Sequence, residues 1–185
     1  HSLPELQTWL SACFAEATRE YPIDGWFVDH ARWPAPANWP SLWGCACNHC
    51  AEEAAGLGYD FEKITAAARQ AKQRFRVIEA ETVRRAARAD VTPSGLLRIL
   101  DLDESIVDWF RFRADLLAAK MKELRDSVRA VRPIPFGADV FPPTVALLGG
   151  HNYETWASGA DYVTGGVGAL LAWGTAIVRA AAGSL

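Results

Sequence analysis

Segment 24–32, which reads DGWFVDHAR, combines an apolar run with a carboxylate, an imidazole and a guanidinium at its end. The apolar part has the length and composition of a short strand buried on both faces of a parallel sheet. A charged cluster at the end of such a strand is costly to bury unless it faces a polar cleft. This segment is therefore the first candidate for an active site.

Two carboxylates in the chain are candidates for catalysis. Asp29 ends the first predicted strand, and Asp139 lies near the end of the second. Ligands of parallel α/β sheets bind at the carboxyl ends of the strands, and glycosidases use two carboxylates about 5 to 10 Å apart. We therefore predict Asp29 and Asp139 as catalytic residues. The alternatives are a structural ion pair between Asp29 and Arg32, and a loop-orienting role for Asp139.

Six further residues have side chains suited to contacts with a sugar. The predicted substrate-binding residues are His30, Arg32, Trp33, Trp43, His151 and Tyr153. Arg32 would clamp a hydroxyl group or lower the pKa of Asp29 by its charge, and the loop tryptophans would stack on pyranose rings. The alternative for His30 is a satisfied local donor. The alternative for segment 149–153 is a turn followed by an N-capped helix.

Three of the four cysteines form the cluster Cys45-x-Cys47-x-x-Cys50. This spacing lets thiolates converge on one tetrahedral ion, so a structural zinc ion is the predicted cofactor. Zinc takes four ligands in structural sites, and Cys13, His49 or His30 would supply the fourth. Buried free thiols and a disulfide are the alternatives.

The composition limits the classes of protein to consider. The chain has 185 residues, 50% of them hydrophobic, and a net charge of −3, which suits one ordinary globular core and no nucleic-acid surface. Its longest uncharged run falls short of a membrane span. We expect an oligo- or polysaccharide as partner, and neither nucleic acid nor a membrane. The chain begins at His1 without a targeting segment, so it is expected to be a piece of a longer protein whose localisation is unknown.

The order of predicted elements indicates an α/β fold. Helices are predicted at 4–20, 60–89, 104–131 and 169–182, strands at 23–28, 134–141 and 161–167, and a long loop rich in Trp and Cys at 30–60. Alternating strands and helices imply parallel strands with crossover helices. A complete eight-stranded barrel needs about 250 residues. Residues 1–185 are therefore predicted to form a single domain that is part of a barrel, or a small open sheet.

The pattern formed by Asp24, Gly25, Asp29, Arg32 and Pro34 resembles a strand signature of glycoside-hydrolase-like TIM barrels, the hypothetical glycosyl hydrolases of bacteria. It is also similar to the nucleophile strand of amylase-like enzymes. The resemblance implies a partial (β/α)8 barrel that cleaves O-glycosidic bonds with Asp29 as nucleophile. The remaining half of the barrel would lie elsewhere in the full-length chain.

Other segments extend this resemblance. Segments 137–143, 148–153 and 160–163 resemble the next two barrel segments, and the cysteine cluster is similar to the zinc site of family 42 β-galactosidases. The chain departs from the family pattern at His30, where tyrosine is usual, and at 164–167. Two other hypotheses are a carbohydrate-binding barrel without catalysis and an α/β domain stabilised by a structural metal.

Overall fold

A computed structural model of the chain describes residues 3–34, 42–88, 92–143 and 145–165. The described helices are α1 (Pro4–Glu20), α2 (Asn48–Gly56), α3 (Phe61–Arg74), α4 (Ala80–Arg88), α5 (Pro93–Leu100), α6 (Ser105–Arg129), α7 (Ala146–Gly149) and α8 (Tyr153–Trp156). The described strands are β1 (Trp26–Val28), β2 (Phe136–Val140) and β3 (Tyr162–Gly165). The fold is mixed α/β, mostly helical, with a small sheet. The predicted helix at 169–182 lies outside the described residues.

The chain divides into two compact units. The first comprises residues 1–44 and 113–185 and contains the sheet, and the second comprises residues 45–112. Within the described ranges, no helix has both the length and the apolar character needed to cross a membrane. That residues 1–185 belong to one barrel domain stays a prediction.

The three strands are parallel and follow the order β1-β2-β3. Parallel pairing was predicted and is confirmed, whereas β1 and β2 are shorter than predicted, and residues 166–167 of the third predicted strand lie outside the described residues. Strand β2 begins only at Phe136 because Pro133 and Pro135 have no N–H to donate to a ladder. Closure of these strands into a barrel is not seen in the described residues.

The two faces of the sheet have different surroundings. Helix α1 covers one face, where the rings of Phe14 and Trp26 lie 4.3 Å apart and Trp26 Nε1 donates to Thr18 Oγ1 at 2.9 Å. The opposite face carries Phe27 and Tyr162, whose exposed fractions are 50% and 41%. The Tyr162 ring occupies the space that a side chain at position 137 would fill, so this position of β2 requires glycine.

The second unit corrects two predictions. The segment 30–60 was predicted as a loop, but its residues 48–56 form helix α2. The predicted helix 60–89 is interrupted between Arg74 and Ala80. The last turn of α3 tightens into i→i+3 hydrogen bonds, and two β-branched residues, Val77 and Ile78, follow it. Asp60, where this helix was predicted to start, is the N-cap of α3, and its side chain accepts the backbone N–H of Lys63 at 3.0 Å.

Candidate functional site

The ends of β1 and β2 bring the two candidate carboxylates to the same edge of the sheet. Val28 pairs with Ala138, so Asp29 and Asp139 each follow that pair by one residue. Asp139 pairs with Thr164 of β3, and Thr164 Oγ1 donates to Asp139 Oδ1 at 3.2 Å. We call the region that contains Asp29, His30, Arg32 and Asp139 the carboxyl edge.

Asp29 and His30 form a tight contact at the carboxyl edge. Asp29 Oδ2 lies 2.6 Å from His30 Nδ1, and Asp29 Oδ1 accepts the backbone N–H of His30 at 2.7 Å. The backbone of His30 is left-handed, with a φ of 59°. Residues other than glycine rarely adopt this backbone conformation, and those that do cluster at functional sites. Both side chains are exposed, at 60% for Asp29 and 68% for His30.

The pKa of Asp29 is below its ordinary value. Partial desolvation acts to raise this pKa, but the hydrogen bonds from the side chain and backbone of His30 and the charges of His30 and Arg32 outweigh it. Asp29 is therefore ionised at neutral pH. The charge of Arg32 lowers the pKa of Asp29, as predicted, but His30 lowers it more.

Trp33 anchors the loop that carries Asp29, His30 and Arg32. Its backbone N–H donates to Gly149 O at 2.9 Å, and its Nε1 donates to Arg113 O at 2.9 Å. The guanidinium of Arg113 lies 4.6 Å from the centroid of the Trp33 ring. Because Trp33 is only 4% exposed, protein atoms cover the ring faces that were predicted to stack on a sugar.

The sequence did not lead us to predict a buried role for Arg113. It is a buried arginine in α6, 1% exposed, and its guanidinium donates to the carbonyl oxygen of Leu42. An arginine within the apolar stripe of a helix was the signal that could have found it, because a fully buried charge needs specific partners.

His151 is a buried connection between the two strand ends. Its Nδ1 accepts the N–H of Phe141 at 2.9 Å, so its Nε2 carries the proton and donates to Ala31 O at 2.9 Å. Burial, helped by the charge of Arg32, lowers the pKa of His151 against the opposing effects of the Ala31 bond and the Asp139 charge. The ring is thus neutral and fully used by the backbone, and its contact with substrate stays a prediction.

Tyr153 and Arg32 lie beside the strand ends. Tyr153 OH donates to Phe141 O at 2.8 Å, and its pKa is raised by burial and by the charge of Asp139. The guanidinium of Arg32 lies 5.3 Å from the centroid of the Phe141 ring. Segment 149–153 follows the alternative prediction, since Asn152 caps α8 by accepting the N–H of Glu154. Trp43 is half-buried, and its stacking role stays a prediction.

The second unit contains a cluster that can hold a metal ion. The sulfur atoms of Cys45, Cys47 and Cys50 all lie within 4.8 Å of one another. Cys47 is the N-cap of α2 and Cys50 is its third residue, so the positive end of the helix dipole favours thiolates there. All the cysteines are free thiols, and Cys50 is buried while Cys45 is exposed. The alternative of a disulfide is therefore not borne out.

The donor set of this cluster suits a thiophilic ion, but it supplies three ligands. Among the described residues, no fourth His, Cys, Asp or Glu atom reaches the same mutual distance. Cys13 and His30 belong to the other compact unit. His49, next to Cys50 in α2, has its Nδ1 3.8 Å from Glu52. The fourth ligand is thus not assigned by the described geometry.

The opposite edge of the sheet holds a second charged group that was not predicted as important. Asp161 Oδ2 accepts the N–H of Phe136 at 2.9 Å, and Asp161 Oδ1 lies 2.5 Å from Arg129 and 3.9 Å from Arg125. A cavity of about 380 Å³ adjoins this group, and it is lined by Arg129, Pro133, Ile134, Pro135 and Asp161. We call this region the amino edge.

Comparison of the chain with protein-family models, with curated proteins and with solved structures gave no match. What the protein does must therefore be inferred from the geometry of its sites.

Proposed function

We propose that the carboxyl edge is the active site of a glycoside-hydrolase-like protein that cleaves an O-glycosidic bond. The observation that carries this proposal is that Asp29 and Asp139 each follow by one residue the paired Val28 and Ala138 of two adjacent parallel strands. Ligands of parallel α/β sheets bind at this edge, and glycosidases require two carboxylates close together.

Two features support assignment of the sheet to part of a (β/α)8 barrel. The strands are parallel and neighbour one another in chain order, whereas doubly wound folds reverse their strand order. One face is covered by α1, and the other exposes Phe27 and Tyr162. In a complete barrel this second face would be the interior, where further strands would cover these rings.

The proposed roles of the site residues follow from their charge and exposure. Asp29 is the ionised catalytic carboxylate, since its pKa is lowered, and an anion stabilises an oxocarbenium-like transition state. Asp139 is the second carboxyl group, and in its protonated form it supplies the proton to the leaving oxygen. Tyr153 and Arg32 bind sugar hydroxyl groups at the rim of the site.

Removal of the Asp29 charge tests this proposal. Asp29→Asn should lower turnover of aryl glycosides or oligosaccharides by about 10³-fold or more, because the lost charge stabilises the transition state. The matched control is Asp24→Asn, which removes an exposed carboxylate just before the same strand. Equal turnover in the parent and Asp29→Asn would contradict the proposal.

A carbohydrate-binding protein without catalysis is the second candidate. Both oxygens of Asp29 are already bonded to His30, which favours a carboxylate that holds a loop over one that attacks a sugar. Glycan binding by a parent protein that hydrolyses no glycoside would support this candidate.

We also propose that the cysteine cluster holds a structural zinc ion. Cys45, Cys47 and Cys50 would bind it, and the ion would fix the start of α2 to the preceding loop. Purified protein should contain about one zinc per chain, and Cys47→Ser should lose it. At free zinc of 100 times its Kd, the ion should add about 2.7 kcal/mol to the free energy of unfolding. Zinc-free parent protein would contradict this assignment.

A further inference from the structure

We propose that Asp29 and His30 form an acid–base dyad, in which Asp29 orients the imidazole and His30 Nε2 exchanges the proton during hydrolysis. This inference rests on the proposed function for the class of substrate and deepens it by naming the proton-transfer group. Asp29 keeps the transition-state role proposed above, and its Oδ2 also orients the imidazole of His30.

The contact between the two side chains decides which nitrogen of His30 carries the proton. The distance of 2.6 Å from Asp29 Oδ2 to His30 Nδ1 is that of a strong, charge-assisted hydrogen bond. A carboxylate only accepts hydrogen bonds, so Nδ1 donates and the neutral ring keeps its lone pair on Nε2. With 68% of the side chain exposed, the imidazole stands in the solvent at the carboxyl edge.

The backbone holds this arrangement before any ligand binds. The left-handed conformation of His30, with φ of 59°, lets the backbone N–H and the side chain of one residue both reach the preceding carboxylate. Three residues further, Trp33 is buried and bonded to the carbonyl oxygens of Gly149 and Arg113. The loop is therefore anchored on both sides of the dyad, by β1 and by Trp33.

Hydrolysis moves one proton through His30 and one through Asp139. His30 Nε2 takes a proton from a water molecule while the water oxygen forms a bond to the anomeric carbon. The bond from that carbon to the leaving oxygen breaks, and the leaving oxygen takes a proton from Asp139. The imidazolium then releases its proton to solvent, and Asp139 regains one from solvent. One water is added across the glycosidic bond, with inversion at the anomeric carbon.

The tautomer of His30 tests the dyad without any substrate. In ¹⁵N NMR spectra of the protein, neutral His30 should show a protonated Nδ1, whereas His151 should show a protonated Nε2 because its Nδ1 accepts from Phe141. Asp29→Ala should abolish the preference at His30 and leave His151 unchanged. The same tautomer of His30 in parent and Asp29→Ala would overturn the proposal.

Kinetics and stereochemistry test the role of His30 in turnover. His30→Asn should lower kcat by about 10²- to 10⁴-fold with KM changed far less, and asparagine tolerates the left-handed backbone. The double variant Asp29→Ala/His30→Asn should have a kcat no lower than that of the slower single variant, because the two residues act as a unit. The anomeric configuration of the product should be inverted.

The outcomes separate this inference from the proposed function. Retention of configuration, or normal kcat in His30→Asn together with inactive Asp29→Asn, overturns the dyad while glycoside hydrolysis stands. A parent protein that hydrolyses no glycoside overturns the proposed function and the catalytic role of His30 with it, and the NMR tautomer then still decides whether Asp29 orients the ring.

Discussion

The two edges of the sheet use the same types of charged residue in different ways. At the amino edge, Asp161 bonds to Phe136, Arg129 and Arg125, which are 25 to 36 positions away in the chain. At the carboxyl edge, both oxygens of Asp29 bond to the next residue, His30. Asp161 therefore joins separate elements, whereas Asp29 joins none that are distant in sequence.

This difference indicates which edge of the sheet contributes more to the stability of the fold. A carboxylate that is bonded to several elements is needed for the fold, because its loss leaves the start of a strand unpaired. A carboxylate that orients only its exposed neighbour contributes little to folding and can be kept for function. In parallel barrels the same division holds, with the active site at the carboxyl end of the strands.

The largest expected effect on stability is at the amino edge. Asp161→Ala should lower the free energy of unfolding by about 2 to 3 kcal/mol, since it removes charge-assisted bonds from a side chain that is 26% exposed. Denaturant unfolding of parent and variant measures it. Asp161→Asn, which keeps an acceptor for the Phe136 N–H, should lower the free energy of unfolding by less. Loss of under about 0.5 kcal/mol in Asp161→Ala would abolish the contrast between the edges.

Next in size is His151, the buried connection under the carboxyl edge. His151→Leu should cost about 2 kcal/mol at pH 8, because it leaves the Phe141 N–H and the Ala31 carbonyl without their partner. Burial lowers the folded-state pKa of His151, so only the unfolded state takes up its proton just below pH 6.5. The parent should therefore lose stability as pH falls below about 6.5, by up to about 1.4 kcal/mol per pH unit from this residue.

Comparison of the parent protein with His151→Leu isolates the contribution of His151 to the pH dependence of stability. His151→Leu should be less sensitive to acid than the parent between about pH 6.5 and 5, measured as unfolding free energy at each pH. Identical slopes for parent and variant would show that the pKa of His151 is the same in the folded and unfolded states.

The smallest expected effect is that of Asp29 on folding. Asp29→Asn should leave the denaturation midpoint unchanged, because exposed ion pairs contribute little to stability. Together with a large loss of turnover, this result would separate the catalytic role proposed for the carboxyl edge from the structural role of the amino edge. A midpoint lowered as far as that of Asp161→Ala would instead place Asp29 among the residues that hold the fold.

Local patterns predicted much of the architecture. The helices predicted at 4–20 and 104–131, the start of a helix near position 60 and the parallel pairing of three strands all agree with the structure. The helix at 48–56 was missed because cysteines and tryptophans suggested a loop. The break after Arg74 was missed because alanine and arginine continue a helical pattern beyond it.

The sequence by itself determined the order of α1, the three strands and α6, and the clustering of Asp29, His30 and Arg32, since each depends on neighbours within a few positions. It also placed three thiols at metal-binding spacing. Only the tertiary structure decided that Trp33 is buried, that His151 is bonded at both ring nitrogens and that Asp161 anchors β2. Those roles depend on contacts between residues 10 to 120 positions apart, which local composition and periodicity do not encode.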